Sequence, residues 1–128
     1  MSKKAVRTEA APAPFQGAPY SQGIVAGDFV FVSGQLGVDP ESGNVVEGGI
    51  TEQTERALRN LQAILEEAGS GLDRLLKTTI FLTDLGDFAG LNEVYARFVG
   101  ETPPARSTFQ VAALPSGALV EIEAIARL

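Results

Sequence analysis

The C-terminal segment constrains the fold most, because apolar residues occupy both sides of a regular alternation from Ala118 to Leu128. Successive side chains of a β-strand point to opposite faces of a sheet. One face of this strand carries Ala118, Val120, Ile122, Ala124 and Ala126. The other face carries Leu119, Glu121, Glu123, Ile125 and Arg127. Apolar residues on both faces are typical of a sheet that is covered on both sides.

A second two-faced strand is predicted over Phe29 to Gln35, which begins with an unbroken apolar run of Phe and Val. Ser21 to Val25 precedes it, and the Ala26-Gly27-Asp28 turn between the two predicts a hairpin. Three further strands are expected from the composition of their segments. They are Ala5 to Thr8, Leu75 to Leu85, and Arg106 to Val111.

Two amphipathic helices are predicted between these strands. Thr51 is a candidate N-cap for the first helix, and Gly69-Ser70-Gly71 ends it. Its buried stripe comprises Leu58, Leu61, Leu65 and Ala68. Asp87 is a candidate cap for the second helix, which ends before Pro103-Pro104. The stripe of the second helix comprises Phe88, Leu91, Val94, Tyr95 and Phe98.

The resulting order, β-β-β-α-β-α-β-β, predicts an α+β fold. We expect a single domain over residues 1–128, beginning with an extended edge strand and loop over about residues 1–17. Two helices can cover only one face of the sheet. Phe29, Phe31, Leu119 and Ile125 would then leave an apolar patch on the other face that is too large for a monomer. We therefore expect another copy of the chain to cover this face, although the pattern does not give the number of copies.

The composition argues against several classes of function. The chain has no cysteine and no histidine, so disulfides, thiol catalysis and the commonest zinc ligand and general base are excluded. A metal site made only of carboxylates remains possible, but no acidic run has the spacing of a calcium loop, and no metal or cofactor is expected. The net charge of −6 argues against a nucleic-acid surface. No apolar run approaches the roughly 20 residues of a membrane span, and no signal peptide is recognisable, so a cytoplasmic protein is expected.

An arginine after a rigid double proline and a glutamate on the last strand are the main candidates for chemistry. The planar guanidinium of Arg106 can give two parallel hydrogen bonds to the carboxylate of a ligand. Glu121 can hold or deprotonate a water molecule beside such a ligand. The alternative for Arg106 is a structural ion pair with Glu121 or Glu123.

Three other positions are weaker candidates when taken alone. Tyr20 follows a proline that restricts the backbone, but it can equally be a surface or packing residue. Gly34 interrupts a strand after Ser33, which indicates either a bulge with close approach of another group or a simple strand end. Asn92 lies at the margin of the apolar stripe of the second helix, where a solvated side chain is the usual case.

Four short motifs occur in order along the chain: Ala18-Pro19-Tyr20-Ser21-Gln22-Gly23, Val32-Ser33-Gly34-Gln35, Pro104-Ala105-Arg106-Ser107 and Glu121-Ile122-Glu123-Ala124-Ile125-Ala126. Together they resemble the RidA family of imine deaminases, also called the YjgF family. The resemblance runs from about Ala5 to the C-terminus. It implies a chorismate-mutase-like α+β sheet with two helices on one face. It also implies a homotrimer, in which the sheets form a central barrel and the sites lie in clefts between subunits.

The resemblance further implies hydrolysis of enamines and imines, such as 2-aminoacrylate and 2-iminopropanoate, to 2-keto acids and ammonia. Arg106 matches the position that binds the substrate carboxylate, and Glu121 the position that orients the attacking water. The other positions of this family that line the pocket match Tyr20, Ser33, Gly34, Asn92 and Thr108. Thr108 replaces a cysteine found in other members, which matters little if the backbone N–H is the group used there.

Two other classes of function remain open at this point. One is a non-catalytic module that binds 2-keto acids or regulates a partner, and the presence of Arg106 favours an enzyme over it. The other is an endoribonuclease or translation inhibitor, an activity attributed to some relatives. The acidic balance and the lack of histidine argue against a ribonuclease.

Overall fold

The computed structural model describes residues 2–128 and contains six strands and two α-helices in the order that the sequence predicts. The strands are β1 Lys3–Val6, β2 Gly23–Ala26, β3 Phe29–Leu36, β4 Leu75–Leu82, β5 Ala105–Gln110 and β6 Val120–Arg127. The helices are α1 Ile50–Glu67, between β3 and β4, and α2 Phe88–Val99, between β4 and β5. The order β-β-β-α-β-α-β-β and the α+β class are therefore confirmed.

All six strands join one mixed sheet with the spatial order β1-β2-β3-β6-β4-β5. The C-terminal strand β6 lies inside the sheet, antiparallel to both β3 and β4. The last pairing, between β4 and the edge strand β5, is parallel.

Both helices cover the same face of the sheet, where the core lies. The helices contribute Ala57, Leu58, Leu61, Ile64, Leu65, Leu91, Val94 and Tyr95 to this core. The sheet contributes Val30, Val32, Ile80, Leu82, Val120, Ile122, Ala124 and Ala126. These strand residues alternate in sequence, as residues on one face of a sheet do.

The opposite face of the sheet is apolar and uncovered in the single chain. Phe29, Phe31 and Phe109 are 46%, 44% and 53% exposed. The rings of Phe81 and Phe109, on neighbouring strands, lie 6.4 Å apart between centroids. Exposed aromatic side chains on one contiguous sheet face fit the expectation that another molecule covers it.

Of the two predicted helix caps, Thr51 is wrong and Asp87 is correct in position. Helix α1 begins at Ile50, one residue before the predicted cap Thr51, and its N-cap is Gly49. Glu52 stabilises this end instead, because its carboxylate accepts a hydrogen bond of 2.8 Å from the Gly49 N–H. Asp87 is the N-cap residue of α2, but its side chain makes no capping hydrogen bond.

Several strand boundaries also differ from the sequence-based expectation. Strand β1 covers Lys3–Val6 rather than Ala5 to Thr8, because the Thr8 N–H bonds to the Gln22 side chain and not to β2. Strand β4 ends at Leu82, because the chain then enters a tight turn before α2. No helix within residues 2–128 is long and apolar enough to cross a membrane.

Candidate active site

A β-bulge in β3 creates the first part of the candidate site. Val32 pairs with Ala124 on β6, but the next pair is Gln35 with Ile122, so Ser33 and Gly34 together face one residue. Of the two alternatives that the sequence leaves open at Gly34, the structure shows the bulge. Within the bulge, the Ser33 hydroxyl donates a 2.6 Å hydrogen bond to the Ser21 carbonyl. The bulge is thereby held against the chain that precedes β2.

Glu121 lies directly against the bulge. A Cβ atom built on Gly34 would approach the Glu121 Cδ to 2.7 Å, so only glycine leaves room for the carboxylate in this position. Glu121 is half-buried, and this burial raises its pKa above the ordinary value for glutamate. The nearby carboxylate of Glu123 raises the pKa further.

Glu121 and the bulge line a cleft of about 880 Å³, which we call the glutamate cleft. Ser33, Gly34 and Tyr20 also line it, so the structure brings four of the candidate residues together. Its charged lining residues are all acidic: Glu41, Glu121 and Glu123. Such a cleft favours a cationic or protonated group and disfavours a free carboxylate unless a cation accompanies it.

Tyr20 is 44% exposed and belongs to the wall of the glutamate cleft. Its hydroxyl accepts a hydrogen bond of 2.6 Å from the Phe15 N–H. The expected restriction by Pro19 is therefore supplemented by a direct hydrogen bond to the preceding loop. The phenol ring remains available to contact a ligand in the cleft.

Arg106 lies on the other face of the sheet. It pairs with Thr78 on β4, whose buried hydroxyl is hydrogen-bonded to the Tyr95 hydroxyl of α2 at 2.6 Å. The Arg106 Cζ atom lies 5.0 Å from the centroid of the Tyr95 ring and 5.3 Å from that of Phe88. The guanidinium is therefore held by two aromatic rings on the helical face.

The proposed structural ion pair of Arg106 with Glu121 or Glu123 does not form within the chain. In residues 2–128, the ion pair present joins Arg97 to Glu93 on the exposed side of α2. The aromatic rings orient Arg106 without neutralising its charge. Its planar set of N–H donors can accordingly receive a carboxylate from outside the chain.

Asn92 and Thr108 lie on the same side of the sheet as Arg106, opposite to Glu121. Asn92 lies on α2 between Phe88 and Tyr95 at helical spacing, on the helix face that carries both rings. Thr108 follows Arg106 by two residues on β5 and shares its face. The Thr108 hydroxyl is buried without a hydrogen-bond partner in the part of the chain described. We call Asn92, Arg106 and Thr108 the arginine cluster.

The candidate residues thus form two groups that do not meet within one chain. The glutamate cleft opens on the uncovered side of the sheet, whereas the arginine cluster lies on the helical side, with β4 between them. None of the three residues of the arginine cluster lines the cleft. Within residues 2–128, no group of three or more potential metal ligands lies close enough together to hold an ion.

Sequence reasoning missed the contact of Phe88 and Tyr95 with Arg106. Both were assigned to the apolar stripe of the second helix, and Tyr95 does belong to the core. Their contact with Arg106 depends on the parallel pairing of β5 with β4, which brings distant segments together. The sequence carries no local signal of that pairing.

A Gly34→Ala variant tests the contact between the bulge and Glu121. The new methyl group displaces only the end of a flexible side chain, so the free energy of unfolding should change by less than about 1 kcal/mol. The displaced carboxylate becomes more exposed, and its pKa should fall towards the ordinary value. Carbon-13 NMR titration of Glu121 measures this shift. Gly49→Ala, whose methyl group meets no atom within 4 Å, is the control and should leave the titration unchanged.

The raised pKa of Glu121 also predicts a pH-dependent stability. The folded state binds the proton more tightly than the unfolded state, so this group lowers the free energy of unfolding as pH rises through its folded-state pKa. Glu121→Gln should therefore stabilise the protein at pH 7, and the gain should vanish below the unfolded-state pKa of about 4.3. Denaturant unfolding at both pH values measures the difference. Glu93→Gln, at an exposed ion pair, should show no such gain.

Comparison with known proteins identifies relatives over nearly the whole chain. The family model described as Endoribonuclease L-PSP matches residues 8–128. The 2-iminobutanoate/2-iminopropanoate deaminase of Mus musculus is 45% identical over 124 residues, covering 97% of this chain and 90% of the mouse protein.

Solved structures show the same fold. RidA from an Antarctic Psychrobacter bacterium superposes with a TM-score of 0.93 at 45% identity, covering 98% of this chain and 99% of the other. E. coli TdcF with bound serine gives a TM-score of 0.91 at 41% identity, with 98% of both chains covered. Both the sequence and the fold place the chain among these proteins. It belongs to the Endoribonuclease L-PSP family, which includes the RidA proteins.

Proposed function

We propose that the protein is a deaminase that hydrolyses imines and enamines of small 2-keto acids to the keto acid and ammonia. The observation that carries this proposal is the Arg106 guanidinium, which is oriented by two aromatic rings and forms no ion pair within residues 2–128. Such a group suits the carboxylate shared by all these substrates. The mouse relative is named as a deaminase of two such imines.

A complete site requires two copies of the chain. The glutamate cleft is acidic and the arginine cluster is cationic, so the two surfaces are complementary in charge. Association through the uncovered sheet face would also bury Phe29, Phe31 and Phe109. We propose a homotrimer in which the cleft of one subunit receives the arginine cluster of the next. The cleft between subunits would exclude part of the water around the substrate.

In the proposed reaction, Arg106 binds the substrate carboxylate through two parallel hydrogen bonds. This fixes the imine carbon next to Glu121, which holds the attacking water and accepts a proton as the C–O bond forms. The imine enters protonated, so the electron pair of its C=N bond moves to nitrogen at this stage and leaves a C–N single bond. Glu121 then returns its proton to the nitrogen. The C–N bond breaks as C=O forms, ammonia leaves, and the proton of the new hydroxyl group passes to the Glu121 carboxylate.

The environment of Glu121 suits this exchange of a proton. Its pKa is raised by burial and by Glu123, so the carboxylate is a stronger base than an exposed glutamate. The acidic cleft also favours the protonated imine, and the carbon of the protonated imine is more electrophilic than that of the neutral imine. Tyr20 and the Ser33-Gly34 bulge would line the substrate from the cleft side, and Asn92 and Thr108 from the arginine side.

Other members of the family support a ligand with a carboxylate but leave a second activity to consider. Serine, bound in the TdcF structure, is a small molecule that carries a carboxylate. The family description names an endoribonuclease. In this chain the cleft is lined by carboxylates without a basic residue, and the net charge is −6. Neither feature favours binding of the negatively charged backbone of RNA.

An Arg106→Ala variant tests the proposed function. Imines generated in the cuvette by an amino-acid oxidase are followed by absorbance against their uncatalysed hydrolysis. Losing the only proposed carboxylate anchor should lower kcat/KM by at least about a hundredfold. Arg106→Lys should recover only part of this loss, because an ammonium cannot make the paired hydrogen bonds.

The matched control is Arg97→Ala, which removes an arginine from the exposed side of α2 and should retain full activity. The molecular mass in solution should be the same for all variants. Near-full activity of Arg106→Ala in the same assay would contradict the anchoring role. No activity of the unmodified protein on any imine would contradict the proposed function itself.

A further inference from the structure

Residues 8–20, which contain a short 3-10 turn at Phe15–Gly17, line one side of the glutamate cleft, and we call this segment the strap. Phe15 and Tyr20 from this segment form part of the cleft wall. The strap lies outside every strand of the sheet, between β1 and β2. Gln16, at its turn, has a φ of 53°, a left-handed conformation that is uncommon for residues other than glycine. Something other than sheet pairing must therefore hold the strap in this shape.

Gln22 supplies that connection. Its side chain is 5% exposed, and its Oε1 accepts a hydrogen bond of 2.8 Å from the Thr8 N–H. Its Nε2 donates to the carbonyls of Thr8, Ala11 and Pro12, at 3.0, 3.2 and 2.8 Å. One buried amide thus satisfies four backbone N–H and C=O groups of a segment that pairs with no strand.

The backbone of the same residue contacts the opposite wall of the cleft. The Gln22 carbonyl accepts a hydrogen bond of 3.0 Å from the Ser33 N–H, within the bulge that carries Gly34. Gln22 therefore links the strap to the bulge against which Glu121 lies. The second link is local: the Phe15 N–H donates to the Tyr20 hydroxyl, which ties the middle of the strap to its end.

We propose that Gln22 is a positioning residue that fixes the strap, and that the strap sets the side-chain size of accepted substrates through Phe15. This inference rests on the proposed imine deaminase function. The Phe15 ring is 43% exposed and lies on the cleft wall, so it is available to pack against an apolar substrate side chain. Under this proposal, only a longer side chain reaches the ring. Gln22 would therefore matter more for leucine-derived imines than for alanine-derived imines.

A Gln22→Leu variant keeps the volume of the side chain but removes all its hydrogen bonds to the strap. KM for the leucine-derived imine should rise about tenfold, because the strap must be ordered during binding. KM for the alanine-derived imine and kcat for both substrates should change by less than about threefold. Gln62→Leu, the same substitution on the surface of α1, is the control and should alter neither substrate. An equal rise in KM for both substrates would overturn the proposal that the strap sets the accepted side-chain size.

A double mutant separates positioning from a general loss of structure. Phe15→Ala should raise KM for the leucine-derived imine in the unmodified protein, but should add little in the Gln22→Leu background. If the two substitutions raise KM by independent factors that multiply in the double mutant, Gln22 does not act through Phe15.

Hydrogen exchange tests the strap without relying on catalysis. The amides of Thr8 and Phe15 should lose protection in Gln22→Leu, while amides of β3 and β6 keep theirs. Unchanged protection of Thr8 and Phe15 would overturn the role of Gln22 even if the protein hydrolyses no imine. If the unmodified protein hydrolyses no imine, but Gln22→Leu still loses protection at Thr8 and Phe15, only the proposed function is contradicted.

Discussion

The alternation of side chains across the sheet is the constraint on which the candidate site depends. Strand β4 lies between β5 and β6, and the pairing places Arg106 on the helical face and Glu121 on the opposite face. No rotation of either side chain can pass the other through a hydrogen-bonded sheet. A reaction that needs both groups therefore needs two copies of the chain. The exposed aromatic face beside the glutamate cleft provides a physical reason for the copies to associate.

Each half of the site carries an unneutralised charge. Burial and the neighbouring Glu123 make ionisation of Glu121 less favourable, whereas Arg106 is held by the rings of Phe88 and Tyr95 without an ion pair among the described residues. Charged groups that are left without partners in one chain lower the stability of that chain. In the proposed assembly, a neighbouring subunit and an anionic substrate would bring the two charges together and make the arrangement favourable. Under this proposal, Glu121 and Arg106 lower the stability of the single subunit but are required for the activity of the assembly.

The sequence was sufficient to predict the order of elements and the two-faced strands, and Gly34 marked the place where β3 is interrupted, although a bulge and a simple strand end both remained open there. These features depend on alternation, helical spacing and glycine, which are local signals. The sequence could not reveal that Glu121 and Arg106 occupy opposite faces, because this depends on which strands pair and in which direction. It also missed Gln22 as a link to the strap, since its partners lie 10 to 14 residues away along the chain. The cap at Gly49 was missed because Glu52, rather than a residue of the Ser or Thr type, bonds to its N–H.

Mixed assembly of two inactive variants tests the central claim most directly. Chains with Arg106→Ala and chains with Glu121→Gln are unfolded together in equal amounts, refolded, and assayed for imine hydrolysis. If one subunit supplies Glu121 and its neighbour supplies Arg106, about one site in four in a random mixture contains both intact residues. The account predicts recovery of about a quarter of the activity of the unmodified protein, although each variant alone is inactive. A mixture as inactive as its separate components, in assemblies shown to contain both chains, would contradict it.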